Sequence, residues 1–163
     1  MLDRRVIEWL RPSLGTMAAS LARRNVSANA VTWAAFLLGM GACVAVARGH
    51  FVAGLVLMLL GRCADGLDGA VARHRGPTDL GAYLDITLDF IFYAGFVLAF
   101  AVPDPAARAL PAAVLLAAFV GTGASFLAFA AAAAKRSMVS AEYPNKGFYF
   151  LGGLTEGTET ILC

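Results

Sequence analysis

The chain has 163 residues, of which 60% are hydrophobic and 15% charged, and its mean hydropathy is +0.72. Soluble domains contain about 45–50% apolar and about 25% charged residues, so this composition excludes an ordinary soluble protein and indicates an integral membrane protein. The formal net charge of +2 excludes the strongly basic surface on which nucleic-acid binding depends.

The first predicted element lies in residues 1–28, which precede the first long apolar run. Apolar and charged residues alternate there at roughly helical spacing until Pro12 interrupts the pattern. This spacing predicts an amphipathic helix on the membrane surface with Trp9 near the lipid headgroups, and a soluble tail is the alternative. We therefore divide the chain into an N-terminal juxtamembrane segment, residues 1–28, and a transmembrane domain, residues 29–163.

Five apolar segments follow, and the first four are long enough to span a bilayer, which requires about 20 helical residues. They cover residues 30–47, 51–71, 80–102, 106–134 and a stretch that begins near Phe148. The pattern predicts an all-α integral membrane protein, a multi-helix transmembrane bundle. Because the chain stops at Cys163 inside an apolar run, we expect it to be C-terminally truncated, with the last helices missing.

Lysine and arginine collect on one side of this bundle. The N-terminal segment and the connections after the second and fourth apolar segments carry most of them, whereas the opposite connections carry only Arg48 and Arg108. The positive-inside rule places the basic side in the cytoplasm. We expect a bacterial inner membrane protein whose N-terminus is cytoplasmic.

Four aspartates lie within the second and third apolar segments, where a carboxylate costs roughly 2.5–3.5 kcal/mol or more. Asp65 and Asp68 are three residues apart, and Asp85 and Asp89 are four apart, so each pair shares one helix face. Neighbouring carboxylates repel one another unless a cation lies between them. Oxygen ligands suit magnesium, manganese or calcium better than zinc or copper. The pattern predicts a divalent-metal site just inside the cytoplasmic boundary.

The residues around these aspartates form a longer motif. The chain reads D-G-L-D-G-A-V-A-R over residues 65–73 and G-A-Y-L-D-I-T-L-D over 81–89, with seven residues between the two runs. This resembles the signature of the CDP-alcohol phosphotransferase (CDP-alcohol phosphatidyltransferase) family, D-x-x-D-G-x-x-A-R followed by G-x-x-x-D-x-x-x-D. Upstream, S-A-N-A-V-T over 27–32 is similar to the family's P-N-x-x-T pattern, with Ala28 where proline is usual.

The resemblance implies a fold of six membrane helices, usually a homodimer. It implies transfer of a substituted phosphate from a CDP-linked donor such as CDP-diacylglycerol to an alcohol hydroxyl, with release of CMP, in phospholipid biosynthesis. By the same resemblance, two Mg²⁺ or Mn²⁺ ions are held by Asp65, Asp68, Asp85 and Asp89, and Asp89 is the general base. The positions that it implies for nucleotide binding are Gly69, Ala72, Arg73, Gly81, Asn29 and Thr32.

The acceptor alcohol is less clearly indicated. In relatives that use a phosphorylated acceptor, arginines of the fifth helix contact its phosphate, whereas residues 153–160 read G-L-T-E-G-T-E-T here. The absence of arginine from this stretch argues against a phosphorylated acceptor held in the same way. Glu156 and Glu159 could meet a polyol hydroxyl or a cation, and Lys135 and Arg136 offer positive charge for an acidic acceptor. Inositol phosphate, glycerol phosphate, serine and choline all stay open.

Three other functions compete with this interpretation. Intramembrane carboxylates also line the pathways of divalent-cation transporters, but here they cluster near one face. Aspartate-rich prenyl-diphosphate enzymes bind pyrophosphate through magnesium, but on soluble helical bundles. An inactive, truncated scaffold is the third alternative.

Overall fold

The computed structural model describes residues 14–76 and 78–136, and these residues contain helices and no strands. The helices are α1 (residues 14–23), α2 (Ala28–Ala47), α3 (Phe51–Arg75), α4 (Asp79–Ala101) and α5 (Pro105–Lys135). The predicted all-α helical bundle is therefore confirmed, and each of the first four apolar segments corresponds to one helix. The predictions for residues 1–13, for the fifth apolar segment and for Glu156 and Glu159 lie outside the described residues.

Three of the helices, α2, α4 and α5, are long and apolar enough to cross a membrane. The fourth, α3, has 25 residues and is therefore long enough, but it is not among the three. Its sequence explains why, because Arg62, Asp65 and Asp68 interrupt the apolar run within two turns. The charged side chains thus lie on the one long helix that is least suited to face lipid.

Local sequence signals fix where the helices begin and end. The side-chain oxygens of Ser27, Thr78 and Asp104 accept hydrogen bonds from the backbone N–H groups three residues later, at 3.2, 3.0 and 3.2 Å. Such caps satisfy donors that the first helical turn leaves unpaired. Gly49 and Gly76 have φ angles of +80° and +93° just after α2 and α3, a conformation that glycine adopts without strain. The chain therefore turns sharply from α3 into α4.

The packing is centred on α2, which contacts both α3 and α4, while α5 contacts α4. Small residues permit this approach: a Cβ atom added at Gly61 would lie 3.3 Å from the carbonyl oxygen of Ala35, and one added at Gly39 would lie 2.7 Å from the Phe92 ring. Within the described residues, α3 and α4 make no close backbone approach to each other. Side chains bridge the space between them: the rings of Phe51 and Phe100 stack with their centres 5.9 Å apart, and Arg62 pairs with Asp89.

Two apolar clusters hold this arrangement together. One joins α2, α3 and α4 through Ala42, Cys43, Val46, Met58, Phe92 and Ala99. The other joins α1, α2 and α3 through Ala18, Val31, Leu67, Ala70 and Val71. The second cluster includes the neighbours of Asp68 in sequence, so α1 covers α3 at the level where the acidic residues lie.

Candidate active site

Three of the four aspartates come together between α3 and α4. One carboxylate oxygen from each of Asp65, Asp68 and Asp85 lies within 4.8 Å of the others. The helical period places the first two on one face of α3, and α4 supplies the third from across the gap. Oxygen ligands at such separations can converge on one small divalent cation.

Asp68 is the most deeply placed of these residues, with 6% of its surface exposed. Thr32 on α2 lies beside this side chain, and its hydroxyl donates a hydrogen bond to the carbonyl oxygen of Ala28 at 3.1 Å. The Asp68 carboxylate oxygen Oδ2 is buried and has no hydrogen-bond partner among the described residues. A buried carboxylate oxygen without a partner is costly, and a cation ligated there would satisfy it. The donor set therefore fits a hard divalent ion.

The fourth aspartate, Asp89, is bonded to an arginine. Nη1 of Arg62 donates a hydrogen bond to Oδ1 of Asp89 at 2.8 Å and lies 3.4 Å from Oδ2 of Asp65. The guanidinium carbon of Arg62 lies 4.8 Å from the centre of the Phe92 ring and 5.5 Å from that of Tyr93. The Arg62 side chain thus joins α3 to α4 at the acidic cluster.

Arg62 was not among the site residues predicted from the sequence. The signal was present, because an arginine inside an apolar helix is as costly as an aspartate and requires a partner. Its position three residues before Asp65 also places it on the acidic face of α3. Arg62 therefore supplies positive charge beside Asp89 and Asp65, in addition to the divalent metal ion that the sequence predicted.

A small cavity of about 10 Å³ opens at this point, roughly the room that one water molecule needs. Its walls are formed by Thr32, Phe36, Arg62, Asp65, Asp85, Leu88 and Asp89. Acidic, cationic and apolar side chains therefore meet at one point between α2, α3 and α4.

The residues predicted to bind a nucleotide lie at the same end of the bundle, where α3 ends and α4 begins. A Cβ atom added at Gly81 would lie 3.2 Å from the Asn29 side-chain oxygen, so these two residues from α4 and α2 are neighbours. One added at Gly69 would lie 3.7 Å from Nη1 of Arg73, whose side chain therefore runs back along α3. Ala72 is half-buried and Arg73 is exposed. Small residues here leave room for a ligand near the carboxylates.

The described residues predicted to bind the acceptor, Lys135 and Arg136, lie at the C-terminal end of α5. Lys135 ends α5 and Arg136 follows it, and both are exposed. Because α5 runs back along α4, its last residues return toward the end where α4 begins. In the described part of the chain, no hydrogen bond or ion pair joins them to the acidic cluster.

Comparisons with known proteins agree with the motif. The family model described as CDP-alcohol phosphatidyltransferase matches residues 25–153. Inner membrane protein YnjF of Escherichia coli strain K12 is 48% identical over 162 residues, which cover 99% of this chain and 79% of that protein. No solved structure matches the chain significantly.

Two further relatives carry more specific names. The archaetidylinositol phosphate synthase of Methanothermobacter thermautotrophicus is 33% identical over 54% of this chain and 46% of its own length. The phosphatidylinositol phosphate synthase of Streptomyces avermitilis is 37% identical over 62% of this chain and 44% of its own length. The chain thus spans less than half of either synthase.

Proposed function

The chain belongs to the CDP-alcohol phosphatidyltransferase family, and on this premise we propose that it transfers a phosphatidyl group from CDP-diacylglycerol, or a related CDP-alcohol, to an alcohol. The acceptor hydroxyl oxygen bonds to the lipid-linked phosphorus, the bond from that phosphorus to the CMP oxygen breaks, and CMP leaves with the electron pair. The observation that carries this proposal is the convergence of Asp65, Asp68 and Asp85 within 4.8 Å beside an unpartnered oxygen of Asp68.

The three converging carboxylates are the residues that would hold Mg²⁺ or Mn²⁺. Two such ions are implied by the family pattern, and when bound they supply positive charge to the pyrophosphate and the leaving phosphate. The chain's own contribution is positioning, which dominates phosphoryl transfer. Asp89 lies at the edge of the cluster, and we assign it the proton that leaves the acceptor hydroxyl, alongside the role of metal ligand that the resemblance implies.

The nucleotide is assigned to the mouth of the same gap. Gly69, Ala72 and Gly81 lack the bulk that would keep a ligand from the helix backbones. Arg73 extends from the end of α3 and can form paired hydrogen bonds with a phosphate. Asn29, beside Gly81, and Thr32, beside Asp68, complete this assignment from α2.

The acceptor to test first is an inositol phosphate, because two relatives are named as synthases of inositol phosphate lipids. Lys135 and Arg136 are the cations that we assign to an acidic acceptor, with Glu156 and Glu159 as the alternative for a neutral polyol. We further propose that the protein is a homodimer in the bacterial inner membrane. In this arrangement the N-terminus and the active site face the cytoplasm.

An assay of CMP release tests the proposal. Membranes that contain the protein are given labelled CDP-diacylglycerol, Mn²⁺ and a panel of alcohols that includes inositol phosphate, glycerol phosphate and serine. We expect CMP release with one acceptor and its loss in Asp89→Asn. Thr122→Val is the matched control, because the Thr122 hydroxyl bonds only within α5, to the carbonyl oxygens of Ala118 and Phe119. Divalent-cation flux into vesicles without CMP release would favour the transporter instead.

A further inference from the structure

Arg62 lies outside the family signature and has no role in the proposed function, yet the structure places its positive charge at the acidic cluster. It lies on α3 between apolar turns, one helical turn before Asp65. An arginine in an apolar helix is costly, so its contacts must compensate for that cost. Those contacts are specific, and their geometry indicates what the side chain does.

The guanidinium of Arg62 is held from several directions. Its shortest contact is the 2.8 Å hydrogen bond to Asp89, and the same nitrogen lies 3.5 Å from the hydroxyl of Tyr93. The Phe92 and Tyr93 rings cover it at 4.8 and 5.5 Å from their centres. A planar guanidinium combines a directed hydrogen bond with stacking on rings, which a lysine ammonium does not. The Arg62 side chain is therefore fixed, and it fixes the Asp89 carboxylate in turn.

Arg62 engages two of the four aspartates, Asp89 at 2.8 Å and Asp65 at 3.4 Å, and the shorter bond sets Asp89 apart. The oxygens of Asp65, Asp68 and Asp85 gather within 4.8 Å of one another. Asp89 lines the same cavity, but its Oδ1 is engaged with Arg62 across the gap between α3 and α4. A carboxylate that shares its charge with a guanidinium is a weaker ligand for a divalent ion.

We propose that Arg62 is a positioning residue that holds the Asp89 carboxylate at the edge of the cation cluster, where that carboxylate accepts the proton of the acceptor hydroxyl. This inference rests on the proposed function and assigns a role within the same site. The alternative is that Arg62 only clamps α3 to α4, whose backbones do not approach closely within the described residues.

The two roles predict opposite signs for metal binding in Arg62→Met. A lost clamp would loosen the cluster, so Mn²⁺ binding and turnover would both weaken. A lost positioning residue releases Asp89 toward the ion and removes a competing positive charge. We therefore expect Mn²⁺ to bind at least roughly threefold tighter. We also expect kcat to fall by about 10–100-fold, the usual effect of removing the partner of an active-site ligand, with little change in KM for the donor.

The experiment uses the whole chain purified in detergent. Mn²⁺ affinity is measured by electron paramagnetic resonance without substrate, and kcat and KM are measured from CMP release. Arg48→Met is the matched control, because Arg48 is an exposed arginine after α2 and takes no part in the site. Its Mn²⁺ affinity and turnover should equal those of the unmodified protein.

Arg62→Lys keeps the test decisive if Arg62→Met aggregates. Lysine retains the positive charge but not the stacked, planar hydrogen bond, so we expect partial kcat with Mn²⁺ binding at least as tight as in the unmodified protein. In the variant that folds, weaker Mn²⁺ binding would overturn the inference, as would Mn²⁺ binding by Arg62→Met that does not tighten. Absence of CMP release from the unmodified protein with every acceptor would instead reject the proposed function itself.

Discussion

The helices α3 and α5 are both long, at 25 and 31 residues, but they differ in where they carry charge. The charged residues of α5, Arg108 and Lys135, lie in its first and last turns. In contrast, α3 carries Arg62, Asp65 and Asp68 between apolar turns. The charged residues of α5 therefore lie at its ends, whereas α3 carries charge within its apolar length.

Their surroundings differ in the same way. Residues of α3 pack against α2 and, through Leu67, Ala70 and Val71, against α1. Among the described elements, α5 packs against α4 alone, and its buried residues are Gly123, Ala130 and Ala133. Intramembrane charge is tolerated where other helices enclose it, so the enclosed helix is the one that can carry the proposed site.

We expect the largest difference between the two helices when Asp68→Asn on α3 is compared with Thr122→Val on α5. Removal of a charged ligand should lower CMP release by more than roughly 100-fold, the upper end of what even outer-shell partners of a metal cost. Mn²⁺ binding should weaken in parallel, because the asparagine side chain carries no charge. Thr122→Val on α5 should leave both quantities within about twofold, since its hydroxyl contacts only its own helix. Equal activity in Asp68→Asn would remove that residue from the site.

A second test compares packing rather than charge. A side chain at Gly61 would meet the Ala35 carbonyl oxygen at 3.3 Å and the Gly39 amide nitrogen at 3.4 Å, whereas Gly121 has no neighbour within 4 Å in the described residues. Gly61→Leu should therefore destabilise the protein by about 1–3 kcal/mol through overpacking. Gly121→Leu should be neutral or stabilising by up to about 1 kcal/mol, because leucine favours the helix.

Thermal unfolding in detergent measures this difference. The midpoint should fall for Gly61→Leu and stay the same or rise for Gly121→Leu. A comparable fall for both variants would contradict the peripheral position of α5 and show that another surface covers it.

The sequence predicted what depends on short-range geometry. Helix bounds follow from apolar runs and caps such as Ser27 and Thr78, and the shared faces of the aspartate pairs follow from the helical period. These features need only residues within a few turns of one another. The prediction of paired carboxylates on α3 and α4 was therefore within reach of the sequence.

The contacts between helices could not be predicted from the sequence. Arg62 and Asp89 are 27 residues apart, and their bond depends on how far α4 lies from α3. That distance is set by α2, where Gly39 makes room for the Phe92 ring. The order of packing, with α2 against both α3 and α4, is a property of the whole bundle. The convergence of three aspartates, and the closer pairing of Arg62 with Asp89 than with Asp65, could only come from the structure.

The smallest effect that we predict concerns the link from α2 to the site. Thr32 lies beside Asp68, its hydroxyl bonds to the Ala28 carbonyl oxygen, and valine has the same shape without the hydroxyl. Thr32→Val should cost about 0.5–1.5 kcal/mol, or roughly 2–10-fold in Mn²⁺ affinity, because Asp68 loses its polar neighbour on α2. Thr122→Val makes the same chemical change on α5, where the hydroxyl bonds to the carbonyl oxygen of Ala118, and should leave Mn²⁺ affinity unchanged. If both variants bind Mn²⁺ equally well, the orientation of Asp68 comes from packing around Val71 and Ala70 and not from the hydroxyl on α2.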